Sequence, residues 1–114
     1  MARILLVEDD EDVRTLLEHV LLAERYEVDA AATVEDARAL LERNHYHLLL
    51  TDMALPDGTG LQIAEQASRR GTSSIILTAY AFRYPQAALA RFDVLLKPVR
   101  PAELLEAVSK VLQR

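Results

Sequence analysis

The chain has 114 residues, 51% of them hydrophobic and none of them cysteine, which fits a single domain over 1–114 because domains typically contain about 100–150 residues. Because the chain has no cysteine, disulfide and thiol chemistry are excluded. It has neither a signal-peptide pattern nor an apolar segment long enough to span a membrane, so we predict a cytoplasmic protein with no membrane contact. The net charge of −5, without any basic block, argues against direct nucleic-acid binding.

Short apolar runs alternate with amphipathic helical patterns along the whole chain. We predict strands near 3–7, 26–32, 48–51, 74–78 and 94–96, and helices near 11–21, 33–44, 61–70 and 101–112. The pattern between 82 and 92 is poor and contains Pro85, so the fourth helix is expected to be short or irregular. This order predicts an α/β fold, a five-stranded parallel sheet of flavodoxin-like order 2-1-3-4-5 with helices on both faces.

Local signals place the ends of several elements. Asp10 or Glu11 begins the first helix, whose apolar stripe is expected to face the core; the stripe consists of Val13, Leu16, Leu17, Val20 and Leu21. The segment 56–60 is rich in turn residues, and Asp57 within it is expected to serve the turn rather than catalysis.

Polar side chains follow four of the five predicted strands. Glu8 and Asp9 follow the first strand, Asp52 the third, Thr78 the fourth and Lys97 the fifth. In the predicted strand order, the carboxyl ends of these four strands meet at one cleft. Carboxylates brought that close raise one another's pKa unless a positive charge offsets them, so the cleft calls for a cation.

Each of these residue types has a defined use in phosphoryl transfer. Two or three carboxylates supply the hard oxygen ligands that Mg²⁺ prefers, and an aspartate can itself be the nucleophile that forms an aspartyl phosphate. A metal, an ammonium group and a hydroxyl donor stabilise the charge on the transferring group. The set is complete with Asp52 as nucleophile, Mg²⁺ on Glu8 and Asp9, and Lys97 and Thr78 as helpers.

The chain resembles a response-regulator receiver domain of the two-component signalling family, and the resemblance runs from Arg3 to the last helix. It rests on Val7-Glu8-Asp9-Asp10, on Asp52 followed by Pro56 and Gly60, on Thr78-Ala79 and on Lys97-Pro98. Single motifs of this kind are weak, but in this order, each at a strand end, they are specific.

The resemblance implies that Asp52 is the phosphoacceptor and that Asp9 binds Mg²⁺ directly. Glu8 then acts beside Asp9 through water, and the backbone carbonyl of Ala54 completes the protein ligands. It further implies that Thr78 hydrogen-bonds the phosphoryl group, that Lys97 ion-pairs with it and that the Lys97-Pro98 bond is cis.

The function implied is a signalling switch that takes its phosphoryl group from a sensor histidine kinase or a histidine phosphotransfer protein. The chain catalyses only its own phosphorylation and dephosphorylation. With no output domain expected, the downstream protein target would bind the face made by helix 4, strand 5 and helix 5; alternatively, the chain is one domain of a longer regulator or hybrid kinase.

The chain departs from the family pattern at the residue three positions before the lysine. The family usually has Tyr or Phe there, whereas this chain has Val94. Tyr80 and Phe82 follow Thr78 closely, and the hypothesis is that one of them replaces the missing aromatic in the switch.

Other classes remain open at this point. An aspartate-nucleophile phosphatase of the haloacid dehalogenase type requires a second Asp two residues after the nucleophile, where this chain has Ala54. A flavodoxin-like cofactor binder requires a phosphate loop that is missing after strand 1. A degenerate receiver that serves only as a docking module is disfavoured by the intact Asp, Thr and Lys set. The three histidines show no metal-binding spacing.

Overall fold

The computed structural model describes residues 1–79 and 86–114. Its main sheet has five strands, numbered β1 to β5: Arg3–Val7, Glu27–Ala31, Leu48–Asp52, Ser73–Thr78 and Asp93–Leu96. The described residues form helices α1 to α5: Glu11–Ala23, Val34–Arg43, Gly60–Arg69, Gln86–Leu89 and Pro101–Leu112. A small antiparallel hairpin, Ala54–Leu55 with Gly58–Thr59, lies between β3 and α3; the sequence predicted only a turn there.

The sheet is parallel throughout and has the order β2-β1-β3-β4-β5, so the predicted flavodoxin-like order is confirmed. The register pairs Val7 with Thr51, and Thr51 with Ile76, which brings the carboxyl ends of β1, β3 and β4 level with one another. Within the part of the chain that the structure describes, α4 has four residues, which agrees with the prediction of a short fourth helix. Tyr80, Phe82 and Pro85 lie outside the described residues.

The sheet divides the core into two layers because alternate residues of each strand face opposite sides. On one side, α2, α3 and α4 cover Leu5, Val7, Leu49 and Ile76. On the other, α1 and α5 cover Ile4, Leu6, Leu48, Leu50 and Ile75. All five residues of β3 are buried, so its last residue, Asp52, ends a strand with both faces covered. This explains why the strand reads as a continuous apolar run before an acidic residue.

Helix α1 follows the predicted stripe with one exception. Leu17 and Leu21 are buried as expected, but 56% of Leu16 is exposed. Leu16 lies beside Pro98 and Val99 of the segment that follows β5, at the edge of the α1 contact with the sheet. Helical periodicity placed Leu16 on the correct side of the helix, but it contains no information on where the neighbouring element ends.

Gly60 allows α3 to begin directly against the backbone of Asp52. The Gly60 N–H donates to the Met53 carbonyl at 2.7 Å, and a Cβ added to Gly60 would lie 2.1 Å from the carbonyl oxygen of Asp52. No side chain can occupy that space unless the backbone moves. Gly60 therefore sets how closely α3 approaches the end of β3.

We predict that Gly60→Ala lowers the free energy of unfolding by about 3 kcal/mol, because the clash is with backbone rather than with a movable side chain. Gly71→Ala is the control: Gly71 has φ +78° and nothing within 4 Å of an added Cβ, so only backbone strain of about 1 kcal/mol is expected. Urea denaturation of both variants measures the difference. Equal losses would contradict the close-approach argument.

Candidate functional site

The predicted site residues lie together at the carboxyl edge of the sheet. One pocket of about 440 Å³ is lined by Glu8, Asp9, Asp52, Ala54, Thr78 and Lys97. Glu8 and Asp9 follow β1, while Asp52 and Thr78 are the last residues of β3 and β4. The Lys97 N–H donates to the Thr78 carbonyl at 2.9 Å, which extends the β4–β5 pairing by one residue and brings Lys97 to the pocket.

Two of the carboxylates are buried, and one ammonium group contacts both. Glu8 is 1% exposed and Asp52 is 4% exposed. Lys97 Nζ lies 2.6 Å from Asp52 Oδ1 and 3.1 Å from Glu8 Oε1, with about a third of the Lys97 side chain reaching solvent. Asp9 is exposed at the rim. Burying two carboxylates side by side is costly, and Lys97 offsets the cost by taking both as partners.

Burial and hydrogen bonding give the two buried acids different pKa values. Burial raises the pKa of Asp52 to about 8, the hydrogen bond with Glu8 adds to the rise, and Lys97 opposes it. Burial also acts to raise the pKa of Glu8, but hydrogen bonds from Asp52, the Asp10 N–H and Lys97 outweigh it, so the pKa of Glu8 is lowered. One proton shared by the pair therefore resides on Asp52, and Glu8 carries the charge.

Lys97 remains protonated in this environment. Burial acts to lower its pKa, but the hydrogen bonds and charges of Asp52 and Glu8 outweigh that effect and raise the pKa above its ordinary value. The ammonium is therefore a positive charge in the pocket at neutral pH.

The oxygens of the acidic side chains fit a divalent cation. One carboxylate oxygen from each of Glu8, Asp9 and Asp52 lies within 4.8 Å of the others. Asp52 Oδ1 is buried 2.6 Å from Lys97 Nζ, so the ammonium group already in the pocket lies against this cluster. Hard carboxylate oxygens clustered in this way suit Mg²⁺.

The segment after β1 is held in place by the start of α1. Asp10 is the N-cap of α1 and accepts a hydrogen bond from the Val13 N–H at 3.0 Å, as the acidic helix start predicted. The Asp10 N–H donates to Glu8 Oε2 at 3.1 Å. Arg14 donates to the Glu8 carbonyl at 3.0 Å, a contact that no sequence pattern indicated.

The segment after β5 has the expected cis peptide bond between Lys97 and Pro98. Val94, which stands where the family usually has an aromatic residue, is half-buried and packs against the α2–α3–α4 layer. The proposed substitutes, Tyr80 and Phe82, are outside the described residues. The two histidines next to β3, His45 and His47, are exposed.

An apolar groove of about 430 Å³ adjoins the acidic pocket. It is lined by Val13, Leu16 and Leu17 of α1, by Leu77 and by Pro98 and Val99. Lys97 and Ala79 line both the groove and the pocket, so the two are continuous. The groove therefore presents apolar surface, including the exposed Leu16, directly beside the buried carboxylates.

Comparison with known proteins agrees with this architecture. The family model of the response regulator receiver domain matches residues 4–109. Response regulator protein PilR of Pseudomonas aeruginosa is 35% identical over 96% of this chain, and this chain spans 26% of PilR. A CheY-like receiver domain protein from Methanospirillum hungatei has a TM-score of 0.91 at 34% identity and covers 99% of this chain and 94% of its own. The response regulator TrrA of Thermotoga maritima, solved in complex with Mg²⁺-BeF, has a TM-score of 0.87 at 31% identity, with 97% and 99% coverage.

The chain belongs to the response regulator receiver domain family. It is a phosphoryl-accepting receiver domain of two-component signalling with an acidic pocket suited to Mg²⁺, and receiver domains of this family are regulatory switches that interact with histidine kinases or phosphotransfer proteins. It spans about a quarter of PilR and 54% of the response regulator ArlR of Staphylococcus aureus. None of the described helices is both long and apolar enough to cross a bilayer.

The raised pKa of Asp52 predicts how stability depends on pH without a metal ion. A carboxyl group whose folded-state pKa lies above its unfolded value stabilises the fold at low pH, and that contribution is lost as the pH rises through the folded-state pKa. With EDTA present, the free energy of unfolding of the parent should fall between pH 5 and pH 8 by about 2–4 kcal/mol more than that of Asp52→Asn. Urea denaturation across this range measures both curves.

Asp12→Asn is the control for this measurement, because Asp12 is an exposed acid in the first turn of α1 that does not line the pocket. Its curve should run parallel to that of the parent. Parallel curves for the parent and Asp52→Asn would contradict the assignment of the shared proton to Asp52.

Proposed function

We propose that Asp52 accepts the phosphoryl group and that Asp9, Asp52, the backbone carbonyl of Ala54 and, through water, Glu8 hold Mg²⁺. The observation that carries this proposal is the cluster of carboxylate oxygens from Glu8, Asp9 and Asp52, which lie within 4.8 Å of one another at the end of a buried strand. When bound, Mg²⁺ neutralises carboxylate charge and stabilises the charge on phosphoryl oxygens.

One carboxylate oxygen of Asp52 forms the bond to phosphorus while the bond from phosphorus to the donor's imidazole nitrogen breaks, and the imidazole leaves with the electron pair. Asp52 must lose its proton before it can attack, and a cation bound beside it would favour the charged carboxylate. Lys97, 2.6 Å from Asp52, supplies a positive charge for the phosphoryl oxygens. Thr78, which lines the same pocket, supplies a hydroxyl donor.

In this proposal the protein is a switch rather than an enzyme with a separate substrate. It acts as one domain over residues 1–114, in the cytoplasm, and catalyses only its own phosphorylation and hydrolysis. Ala54 supports this assignment, because the position two residues after Asp52 carries a methyl group instead of the acid that an aspartate-nucleophile phosphatase would use to protonate a leaving group.

The output is proposed to be a protein contact on the face formed by α4, β5 and α5. On this face Val94 is half-buried, and Leu96 is 61% exposed at the end of β5. A pocket between β5 and α5 lies on the same face and is lined by apolar Val94 and Val111 with charged Glu106 and Lys110 at its border. Apolar surface surrounded by charged groups is typical of protein interfaces.

We expect the parent to gain one phosphoryl group when it is incubated with acetyl phosphate and Mg²⁺, as measured by intact-mass spectrometry. Asp52→Asn should gain none, because it lacks the nucleophile. Asp9→Asn should react at least about 100-fold more slowly, because it retains the nucleophile but loses charge stabilisation. Asp12→Asn, the same change outside the pocket, should match the parent.

Two outcomes would contradict the proposal. If the parent remains unmodified at saturating Mg²⁺, the domain is a docking module that does not take phosphate. If it releases phosphate from phosphomonoesters over many turnovers, it is a phosphatase.

The groove beside the pocket is proposed to receive the phosphohistidine-bearing helix of the donor protein. Leu16 is exposed next to the groove's shared border with the pocket, where a donor that delivers a phosphoryl group to Asp52 has to rest. Apolar contact at that place stabilises the complex of the two proteins without taking part in the chemistry.

Leu16→Ala should therefore lower kcat/KM for transfer from a phosphorylated histidine phosphotransfer protein by about 10-fold, a loss typical of a well-packed interface residue. Its rate with acetyl phosphate should not change, because a small donor does not contact the groove. Leu22→Ala, on the same helix, 48% exposed and not in the groove, is the matched control and should transfer normally. An equal effect of the two variants, or a loss with acetyl phosphate, would contradict the assignment of the groove.

A further inference from the structure

Asp57 connects the loop after β3 to the start of helix α2. Its carboxylate accepts the Val34 N–H at Oδ1 over 2.8 Å and the Glu35 N–H at Oδ2 over 3.0 Å. Both carboxylate oxygens are used, one for each of the first two N–H groups of α2. The partners are 23 and 22 residues apart in the chain, so this is a tertiary contact rather than a property of the turn that contains Asp57.

The rest of the α2 start is satisfied locally. Thr33 is the N-cap; its hydroxyl accepts the Asp36 N–H at 3.1 Å and its carbonyl accepts the Ala37 N–H at 3.1 Å. The first three N–H groups of α2 have no intrahelical partner. Asp57 serves the first and second and Thr33 serves the third, while the Ala37 N–H makes the first regular bond of the helix to the Thr33 carbonyl.

The loop that carries Asp57 is a hairpin with two paired strands, so the position of its turn affects the position of its ends. Ala54 pairs with Thr59 and Leu55 with Gly58, which leaves Asp57 in the turn between the two short strands. A Cβ added to Gly58 would lie 3.1 Å from a Val34 methyl group, so the hairpin sits closely on α2. At the other end of the same hairpin, Ala54 lines the acidic pocket beside Asp52.

We infer that Asp57 is a positioning residue for the metal site: by binding the start of α2 it fixes the hairpin, and through the hairpin it fixes the backbone carbonyl of Ala54. This inference rests on the proposed function, in which that carbonyl is a ligand of Mg²⁺. Asp57 itself does not touch the ion. Without the contact the hairpin loses its hydrogen bonds to α2 and keeps those to α3, where the Thr59 N–H donates to Gln62 Oε1 at 2.9 Å. The carbonyl of Ala54 then samples positions that do not suit the short, directional bonds of Mg²⁺.

The charge of Asp57 is engaged in this contact even though its side chain faces solvent. The N–H groups of Val34 and Glu35 hold the pKa of Asp57 below its ordinary value, and the nearby Arg38 contributes to the lowering. Negative charge at a helix start is also favoured by the helix dipole. An asparagine side chain has one carbonyl oxygen where aspartate has two carboxylate oxygens, so it cannot give each of the two N–H groups an oxygen of its own.

The test is a calorimetric titration of the parent, Asp57→Ala, Asp57→Asn and Thr33→Ala with MgCl₂. The dissociation constant of Mg²⁺ should rise by about 3–10-fold in Asp57→Ala and by less in Asp57→Asn, at or below the range usual for groups that orient metal ligands. In phosphorylation by acetyl phosphate, the Mg²⁺ concentration at half-maximal rate should rise by the same factor. The rate at saturating Mg²⁺ should stay within twofold of the parent.

Thr33→Ala is the matched control, because it removes a cap from the same helix start but leaves the hairpin contact intact. If it weakens Mg²⁺ binding as much as Asp57→Ala, the effect comes from general loss of α2 stability and the inference is overturned. Unchanged Mg²⁺ affinity in both Asp57 variants overturns it as well. If Asp57→Ala does not fold, the comparison of Asp57→Asn with Thr33→Ala decides. A parent that binds no Mg²⁺ refutes the proposed function instead, and Asp9→Asn, which should abolish binding, distinguishes that outcome.

Discussion

The structure depends on the burial of two carboxylates at the ends of neighbouring parallel strands. Glu8 and Asp52 are almost fully buried, at the point where the two layers of helices cover the apolar strands. One ammonium group, that of Lys97, and one shared proton make this arrangement tolerable. The pairing of β4 with β5 brings Lys97 to these carboxylates. The charge balance of the pocket therefore depends on the order of the strands in the sheet.

The sequence predicts the sheet and the members of the pocket because both are encoded locally. A buried parallel strand is an apolar run that ends where its covering helices end, and a polar residue directly after it must lie at the carboxyl edge. Asp52, Thr78 and Lys97 are placed by this rule without any knowledge of distant contacts. The rule accounts for their proximity; their division of labour comes from the resemblance to the family and remains a proposal.

The features that the sequence does not reveal are those that depend on residues far apart in the chain. Periodicity places Leu16 on the inner side of α1, but its exposure depends on where the segment after β5 passes. Asp57 has the composition of a turn residue, and its partners in α2 are more than twenty residues away. Gly60 belongs to the family pattern, yet the reason that only glycine fits is the carbonyl of Asp52, which no local pattern contains.

Lys97 has a consequence for the way the domain responds to its ions. A pocket that already contains a counter-charge gains less electrostatic energy from an incoming cation than an uncompensated acidic cavity would. The two buried carboxylates already have a partner before any ion binds, so the Mg²⁺ proposed for this pocket would gain less by entering it than it would in a cavity of the same acids without the lysine.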